Sequence, residues 1–276
     1  MPVRWRDPLL RPFLEELVRE AGGILMRNFG PQQRADKKGV IDLVTQTDLE
    51  SERLLVGAIR ERYPNHRIMA EEGERPEGRA EHLWLIDPLD GTVNYVHGYP
   101  AFSITLALRH EDDALIGAVY DPLLDEFYYA ERGEGATLNG APLHVSRADR
   151  LLDSLLATGF SYQRASLADN NIAEFSRLVL RVQGIRRAGS AALDLAHVAA
   201  GRLDGYWEMH LEPWDWAAGQ VLIEEAGGKV TDFGSGPWSP FLDEMAASNG
   251  RIHDELLQEL AASRKPELRD KTESSS

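Results

Sequence analysis

The sequence predicts a layered α/β fold in which helices alternate with strands. Amphipathic helical repeats and short β-prone runs alternate along most of the chain. The stretch 102–130 instead holds three strands joined by tight turns, which indicates an antiparallel section of sheet. We find no internal repeat and no linker. The elements are therefore expected to pack as alternating helix and sheet layers, in one domain over residues 1–264.

Composition excludes several classes of protein. With 276 residues, 43% of them hydrophobic, the chain can bury a large core. It has no cysteine, which excludes disulfides, thiolate metal ligands and cysteine nucleophiles. Its start carries charges throughout and lacks the apolar region of a signal peptide. No apolar run reaches the roughly 18 residues of a membrane span, so we expect a cytoplasmic protein that does not enter a membrane.

The net charge bears on the partners. Lys and Arg total 30 against 45 Asp and Glu, which gives a formal net charge of −15. That field repels nucleic acid and acidic membranes at long range, so neither partner is expected. The basic run 181–187 is either a local partner surface or a solvated strand edge. A phosphorylated substrate would need local cations, and bound metal ions are the strongest candidates.

The first predicted element is an amphipathic helix over 8–29, ended by Gly30 and Pro31. Its apolar stripe is assigned to the core: Leu14, Leu17, Val18, Ala21, Leu25 and Met26. Residues 31–46 are polar and then β-prone. Lys37 and Lys38 lie there, either in a solvated loop or hairpin or within reach of a site.

Thr47 to Glu50 have the form of a capping box that starts the next helix. Thr47 is the predicted N-cap and Glu50 the third helical residue, and the helix continues to about Arg62. Asp48 then stands at a helix N-terminus, where a carboxylate is favourable in any protein. Its role is either this structural one or that of a rigidly held catalytic carboxylate.

Carboxylates follow two predicted strands. A short strand over 66–70 ends at Glu71 and Glu72, which are either a polar loop or neighbours of the strand that follows. That buried strand, 83–86, leads to Asp87 and is predicted to break at Pro88.

The residues after Pro88 can serve a turn or a site. Asp90 can converge with Asp87 on one point, Gly91 allows close backbone approach, and Thr92 adds a hydroxyl. Asp, Pro and Gly are also ordinary turn residues. This stretch by itself therefore predicts a turn as readily as a site.

The remaining elements also alternate in type. Strands are predicted over 102–109, 114–120, 126–130, 154–159, 184–187, 204–209, 229–233 and 245–248, with a hairpin at Asn139-Gly140. Helices are predicted over 168–182, with Ile172, Phe175, Leu178 and Val179 on one face, and over 191–200, 214–226 and 252–263. The polar tail 265–276 is expected to be disordered.

The acidic residues share one pattern. Asp215 lies in the first turn of the helix 214–226, and Asp48, Glu71, Asp87 and Asp90 likewise stand at helix starts or strand ends. The chain has neither cysteine nor an HExxH motif. The chemistry best served is therefore oxygen ligation of Mg²⁺ or Mn²⁺.

The sequence closely resembles the inositol monophosphatase family. The resemblance is carried by the Glu71-Glu72 pair, DPLDGT over 87–92 with Asn94 and Tyr95, PWDWAAG over 213–219, TQTD over 45–48 and GSAALDLAHVAAGRLDGYWE over 189–208. It covers roughly residues 10–262 and shows no departure at a catalytic position. It implies the α-β-α-β-α sugar phosphatase fold, usually as a homodimer.

The resemblance also implies roles for individual residues. Glu71, Asp87 and the Leu89 carbonyl would hold a first Mg²⁺; Asp87, Asp90 and Asp215 would hold a second; Glu71 would help to hold a weaker third. Thr92 and Asp48, with Glu71, would activate the attacking water. The substrate would be contacted by Asp90, Gly91, Thr92, Gly189, Ser190, Ala191, Glu208 and Asp215.

The implied reaction is Mg²⁺-dependent hydrolysis of myo-inositol monophosphate, inhibited by lithium and by excess Ca²⁺. Uncatalysed phosphate-ester hydrolysis is so slow that ~20 kcal/mol of barrier lowering can be demanded, and clustered metal ions can supply much of it. Fructose-1,6-bisphosphatase, histidinol-phosphate phosphatase and nucleotide 3′-phosphatase activities occur on similar scaffolds. An interaction protein that binds metal but has lost catalysis is the alternative from another class.

Glu208 is the residue on which the polyol assignment rests. It lies in a predicted strand, seven residues before Asp215. That spacing places it near the rim of the same pocket, where a carboxylate can accept hydrogen bonds from hydroxyl groups. The alternative is a rim charge that only keeps the strand end solvated.

Overall fold

The computed structural model describes residues 7–30, 35–37, 43–73 and 81–264, with the backbone alone at 35–37, 43 and 44. These residues contain seven α-helices: α1 (Leu10–Asn28), α2 (Gln46–Arg62), α3 (Thr92–His97), α4 (Ile172–Leu178), α5 (Ala191–Ala199), α6 (Pro213–Glu225) and α7 (His253–Ser263). The strands are β1 (Ala35–Lys37), β2 (Leu43–Thr45), β3 (Arg67–Ala70), β4 (His82–Asp90), β5 (Ser103–His110), β6 (Asp113–Asp121), β7 (Glu126–Glu131), β8 (Gly135–Leu138), β9 (Ala141–Pro142), β10 (Leu155–Thr158), β11 (Gly184–Arg186), β12 (Gly205–Met209), β13 (Lys229–Thr231) and β14 (Glu244–Ser248).

The larger sheet has seven strands in sequence order from β3 to β9. β3 and β4 run parallel, and every later neighbouring pair is antiparallel. Ala70 at the end of β3 pairs with Ile86 in β4. Because the two strands point the same way, the acids that follow Ala70 and Ile86 come out at the same end of the sheet.

The smaller sheet has five strands in the order β11-β10-β12-β14-β13. β10 runs parallel to β11 and β12, and β14 runs antiparallel to β12 and β13. Side chains alternate between the two faces of a strand, so in β12 Trp207 lies on one face and Glu208 on the other. Trp207 packs in the outer core, and Glu208 faces the rest of the molecule.

Three apolar clusters connect five layers. α1 and α2 cover one face of the larger sheet, where Leu14 and Trp84 belong to one cluster. α5 and α6 lie between the two sheets, with Trp216 in the cluster there. α4 and α7 cover the outer face of the smaller sheet, where Leu256 packs with Trp207. The layer order confirms the predicted α-β-α-β-α fold.

Pro88 does not break its strand, contrary to the prediction. β4 continues to Asp90, and the register with β5 shifts between Asp87 and Asp90. Proline is tolerated within sheets at such bulges, where the ladder does not need its missing N–H. The bulge places Asp87 opposite Thr105 and Asp90 opposite Ser103.

Two predicted apolar faces are wrong in part. The helix predicted over 168–182 shrinks to α4, in which Leu178 is buried but Ile172 is 53% exposed and the following Val179 44%. Met26 in α1 is also 38% exposed. Periodicity predicts which residues share a helix face, but the packed neighbours decide how wide a stripe is covered.

The Asn139-Gly140 hairpin is confirmed. β8 and β9 pair across these two residues, with φ of 47° and 86° respectively. Positive φ at both central residues is the turn geometry that Asn-Gly favours.

Some predictions fall beyond this description. Within the described residues, no helix is long and apolar enough to cross a membrane. The tail 265–276, Lys38 and the side chain of Lys37 lie outside the described part of the chain. The single domain over 1–264 stays a prediction.

Candidate active site

The N-terminus of α2 is capped two residues earlier than the sequence predicted. Thr45 is the N-cap and Asp48 the third helical residue, so the predicted box of Thr47 and Glu50 is wrong. The Thr45 hydroxyl accepts from the Thr47 N–H at 3.1 Å, and the Thr45 N–H donates to Asp48 Oδ2 at 2.9 Å. Asp48 can reach back because it follows its N-cap by three residues. Its carboxylate is fully buried and held from both sides.

The bulge in β4 fixes Asp87. The Leu89 N–H donates to Asp87 Oδ1 at 2.9 Å across the bulge. The Ser51 hydroxyl of α2 donates to the Pro88 carbonyl at 3.0 Å, which anchors the bulge to the helix that carries Asp48. Asp87 is only 3% exposed. The bulge thus holds Asp87 in a fixed position near Asp90.

Asp90 is held by donors from two other elements. Its Oδ2 accepts from the Ser103 hydroxyl of β5 at 3.1 Å and from the Ala192 N–H of α5 at 3.0 Å. The Ser190 hydroxyl, which caps α5, donates to the same oxygen. Oδ1 makes none of these bonds. These three donors therefore position the carboxylate by binding Oδ2 and do not occupy Oδ1.

Thr92 connects the β4 bulge to α2. Its hydroxyl lies 3.2 Å from Asp48 Oδ1 and 3.1 Å from the Leu89 carbonyl. A hydroxyl has one proton, so Thr92 donates to one of these acceptors at a time and keeps its own lone pairs. The pair predicted to activate water is thus in direct contact.

Gly91 allows the site segments to come close together. Gly91 has φ of +92°, and a Cβ there would lie 2.9 Å from the Ala101 carbonyl and 3.2 Å from the Gly189 carbonyl. Asn94 ties the same region together by donating to the carbonyls of Ala101 and Ala188, at 2.6 and 2.9 Å. Positive φ and this close approach require glycine at 91. The turn predicted to bind phosphate and the turn predicted to bind the polyol therefore touch.

Glu71 follows β3, and Asp215 lies in the first turn of α6. The Glu71 N–H donates to the Ile86 carbonyl at 3.2 Å, which sets it beside the end of β4. Glu72 instead turns toward α2, where its N–H donates to Glu52 Oε2 at 2.7 Å. At the start of α6, the Glu212 N–H donates to Asp215 Oδ2 at 2.9 Å.

The gathered carboxylates repel one another. Burial raises the pKa of Asp87 well above its ordinary value, and the charges of Glu71 and Asp90 raise it further. Desolvation also raises the pKa of Asp215, to which Asp90 and Glu71 add. The pKa of Asp90 is raised by burial, against the opposing hydrogen bonds from Ser190 and Ala192. Burial raises the pKa of Asp48 as well.

This electrostatic arrangement fits hard divalent cations. Its donors are carboxylate and carbonyl oxygens, which suit Mg²⁺ or Mn²⁺. Buried carboxylates that raise one another's pKa are stabilised in the charged form by a nearby cation. Glu71, Asp87, Asp90 and Asp215 are therefore suited to hold such ions.

Glu208 is not at a solvated rim, as the sequence had suggested, but buried. It is 5% exposed, and the Tyr206 hydroxyl donates to it. Burial raises the pKa of Glu208 to about 7, against the opposing effects of the Tyr206 hydrogen bond and the Arg187 charge. A Cβ on Gly159 would lie 2.2 Å from the carboxylate oxygens, so the backbone of that residue packs against Glu208. The alternative of a merely solubilising charge is wrong.

Sequence reasoning missed four contributors: Ser103 and Ala192 as partners of Asp90, Tyr206 as a partner of Glu208, and Asp194 beside Glu208. Two of them left a signal. Tyr206 and Glu208 are two residues apart on a strand and so share a face. Asp194 lies in a helix that is otherwise apolar almost all round, where a carboxylate implies a specific environment. Burial raises the pKa of Asp194 well above its ordinary value.

The basic run 181–187 has two different parts. β11, within the run 181–187, is an edge strand of the smaller sheet, which fits the solvated-edge interpretation. Arg187 differs from its neighbours because its Nη1 would lie 2.5 Å from a Cβ on Gly189. It therefore reaches the predicted polyol turn.

A model of the inositol monophosphatase family matches residues 8–265. The chain belongs to this family. An inositol-1-monophosphatase from Synechocystis is 44% identical over 249 residues, covering 90% of this chain and 87% of that protein. The Nus factor SuhB of Escherichia coli K12 is 40% identical over 243 residues, covering 87% and 91%. The solved inositol monophosphatase from Anabaena (Nostoc) sp. PCC 7120 has 45% identity and a TM-score of 0.82, covering 91% of this chain and 94% of that one.

Family membership establishes the general activity. This inositol monophosphatase family member is an enzyme, a phosphatase of a metal-dependent family that acts on small phosphorylated substrates. Its two mixed sheets and its helices match the solved family members. The shared fold explains why carboxylates from three separate segments meet at one place.

Proposed function

We propose that the chain is a Mg²⁺-dependent phosphomonoesterase that hydrolyses myo-inositol monophosphate to myo-inositol and phosphate. One observation carries the proposal most: buried carboxylates that raise one another's pKa lie next to the hydrogen-bonded pair of Thr92 and Asp48. Oxygen ligands favour Mg²⁺, with Mn²⁺ as a substitute. The chain would act in the cytoplasm, as a homodimer.

We assign the metal ligands as the resemblance implies. Glu71, Asp87 and the Leu89 carbonyl would hold one ion; Asp87, Asp90 and Asp215 a second; Glu71 would also contribute to a weaker third. When bound, such ions act as Lewis acids toward phosphoryl and leaving-group oxygens. Lithium and excess Ca²⁺ would inhibit, as the resemblance implies.

Thr92 and Asp48 supply the proton transfer. The Thr92 hydroxyl can accept a hydrogen bond from the attacking water while donating to Asp48 Oδ1, 3.2 Å away. The Asp48 carboxylate can then accept a proton through Thr92 as the water attacks phosphorus. Burial raises the pKa of Asp48, which makes it a stronger base than an exposed aspartate. Glu71 would complete the orientation of the water.

The substrate would lie between two turns that already touch. The N–H groups of Gly91 and Thr92 would receive the phosphate, as N–H groups at a helix start do. The backbone of Gly189 to Ala191 would contact the polyol, because the Ser190 hydroxyl is engaged with Asp90. Glu208 accepts one bond from Tyr206 and has further lone pairs for substrate hydroxyls.

Phosphate release tests the proposal directly. With inositol monophosphate and added Mg²⁺ we expect turnover, and none after exhaustive chelation until Mg²⁺ is returned. Full turnover in the chelated enzyme would exclude the metal mechanism. A panel ranked by kcat/KM, with fructose 1,6-bisphosphate, histidinol phosphate and a nucleotide 3′-phosphate, tests the substrate. A higher value for any of these would replace inositol phosphate.

A non-enzymatic role is the second candidate, because relatives named Nus factor SuhB match at 40% identity over most of the chain. It would make the chain an interaction protein that binds metal but has lost catalysis. Absence of phosphate release from every substrate, at any Mg²⁺ concentration, would favour it. The intact set of carboxylates with Thr92 supports the enzyme instead.

A further inference from the structure

Three histidine rings form a row across one end of the larger sheet. His82 in β4 pairs in register with His110 in β5, and their ring centroids are 4.8 Å apart. His66, just before β3, stacks on His82 with centroids 4.5 Å apart. Directly opposite residues of an antiparallel pair share a face. The strand register therefore holds the two imidazoles of His82 and His110 together.

Glu81 completes a group of three ligands. One ligand atom each from Glu81, His82 and His110 lies within 4.8 Å of the others. His110 Nε2 is 3.8 Å from Glu81 Oε1. The Glu81 carbonyl also accepts from the Glu111 N–H at 2.9 Å, which fixes the backbone of Glu81 beside the end of β5.

Contacts with neighbouring side chains fix the orientations of the His66 and His82 rings. Trp84 Nε1 donates to His66 Nδ1 at 3.1 Å, so His66 carries its own proton on Nε2 when neutral. Its stacked ring then presses on one face of His82. The strand register and the ring stacking therefore hold the three histidines in a fixed arrangement on the sheet.

We propose that Glu81, His82 and His110 form a second metal site, for a divalent transition ion such as Zn²⁺ or Cu²⁺. Two imidazoles and a carboxylate are typical ligands of these ions and unlike the oxygen-only set of the active site. Ligand atoms around tetrahedral zinc are about 3.3 Å apart, given bond lengths of about 2.0–2.1 Å. The Glu81 side chain is 76% exposed and can rotate to reach that spacing.

The proposed site is separate from the catalytic one. His82 and Asp90 are the two ends of β4, and eight residues of strand span about 25 Å. Three protein ligands leave a coordination position to water or to a further ligand. An ion there would tie β4 to β5 at the end of the sheet away from catalysis.

Copper distinguishes the two sites by ligand type. The full chain is saturated with Mg²⁺ to occupy the oxygen site, and one equivalent of Cu²⁺ is added. The electron paramagnetic resonance spectrum should show hyperfine coupling to imidazole nitrogen. His110→Gln should remove part of this coupling and weaken Zn²⁺ binding, measured by calorimetry, at least about tenfold, since even the outer partners of ligands are worth that much.

Two further variants, one a control and one at the third ligand, separate loss of the site from a general effect of substitution. His144→Gln makes the same chemical change at an exposed histidine and should leave both signals unchanged. Glu81→Gln changes an exposed side chain, retains the fold and should also weaken Zn²⁺ binding. Absence of nitrogen coupling, or equal Zn²⁺ binding by the wild type, His110→Gln and Glu81→Gln, would overturn the site. If His110→Gln lowers the Mg²⁺-dependent turnover as well as the Zn²⁺ affinity, the claim that the two sites are separate is wrong.

Discussion

The Thr92 hydroxyl lies 3.2 Å from Asp48 Oδ1, across 44 residues of sequence. Asp48 is simultaneously the third helical residue of the α2 capping box, because the N-cap Thr45 donates its N–H to the other carboxylate oxygen. The structural and catalytic interpretations of Asp48 are therefore compatible. The cap fixes one oxygen, and the other faces Thr92.

Thr92→Ala should lower kcat about 100-fold with little change in KM, because the hydroxyl assists proton transfer and does not bind ground-state substrate. Steady-state kinetics with inositol monophosphate measures both parameters. Thr92→Ser is the control, since it keeps the hydroxyl, and should retain most of the rate. A change confined to KM would contradict the role.

Asp90→Asn should abolish turnover while the chain remains folded. The substitution removes a charge with almost no change in volume. Burial raises the pKa of Asp90, so the metal-free variant should melt at or above the wild-type temperature. The stabilisation by added Mg²⁺, measured as a shift in Tm, should largely disappear. A variant that hydrolyses phosphate near the wild-type rate would mean that the site is misplaced.

Glu208→Gln should lower kcat/KM for inositol monophosphate by roughly tenfold or more, because charge-assisted hydrogen bonds to hydroxyls contribute about 1.5–3 kcal/mol. A small aryl phosphate offers no hydroxyl there and should be hydrolysed nearly as before. Equal losses on both substrates would place Glu208 in the catalytic electrostatics. No loss on either would remove it from substrate recognition.

Gly159→Ala provides an independent test of the same carboxylate. The added Cβ would overlap the Glu208 oxygens at 2.2 Å, so the carboxylate must move. We expect the same substrate-selective loss as in Glu208→Gln, without a change of charge. If hydrolysis of the aryl phosphate falls as much as that of inositol monophosphate, Gly159→Ala has disrupted the site in general.

Without metal, the contribution of Glu208 to stability should fall as the pH rises from 4.5 toward about 7. The pKa of Glu208 is raised from 4.5 to about 7, so the folded state binds the extra proton. The stabilising contribution is complete below the unfolded pKa and is lost as the pH rises through the folded one, by on the order of 3 kcal/mol. Denaturant unfolding in chelator, over this pH range, measures it.

Glu208→Gln is the control for this pH dependence. Its stability should decline less over the same range, because glutamine cannot ionise. Added Mg²⁺ should raise Tm more at about pH 8 than at about pH 5, since the ions compete with protons for the carboxylates. If the stability of the wild type and of Glu208→Gln changes with pH in parallel, the pH dependence arises from other groups.

The helices and strands followed from local patterns, and most were predicted within a few residues. β4 was the informative exception. Proline predicts the end of a strand from local chemistry alone, but pairing with β5 on the far side of the bulge continued the strand to Asp90. The same pairing gave Asp90 its partner Ser103, which no local pattern indicates.

The sequence alone was enough to predict the candidate site residues whose signals lie in short contiguous motifs. Asp87, Asp90 and Thr92 fall within six residues, so their association needs one strand and one turn. The tertiary structure decided what those residues touch. Ser190 and Ala192 reach Asp90 from about a hundred residues away, and β12 buries Glu208 where its spacing suggested a rim. Burial and pairing between distant segments depend on packing of the whole chain, and that packing sets the electrostatics of the site.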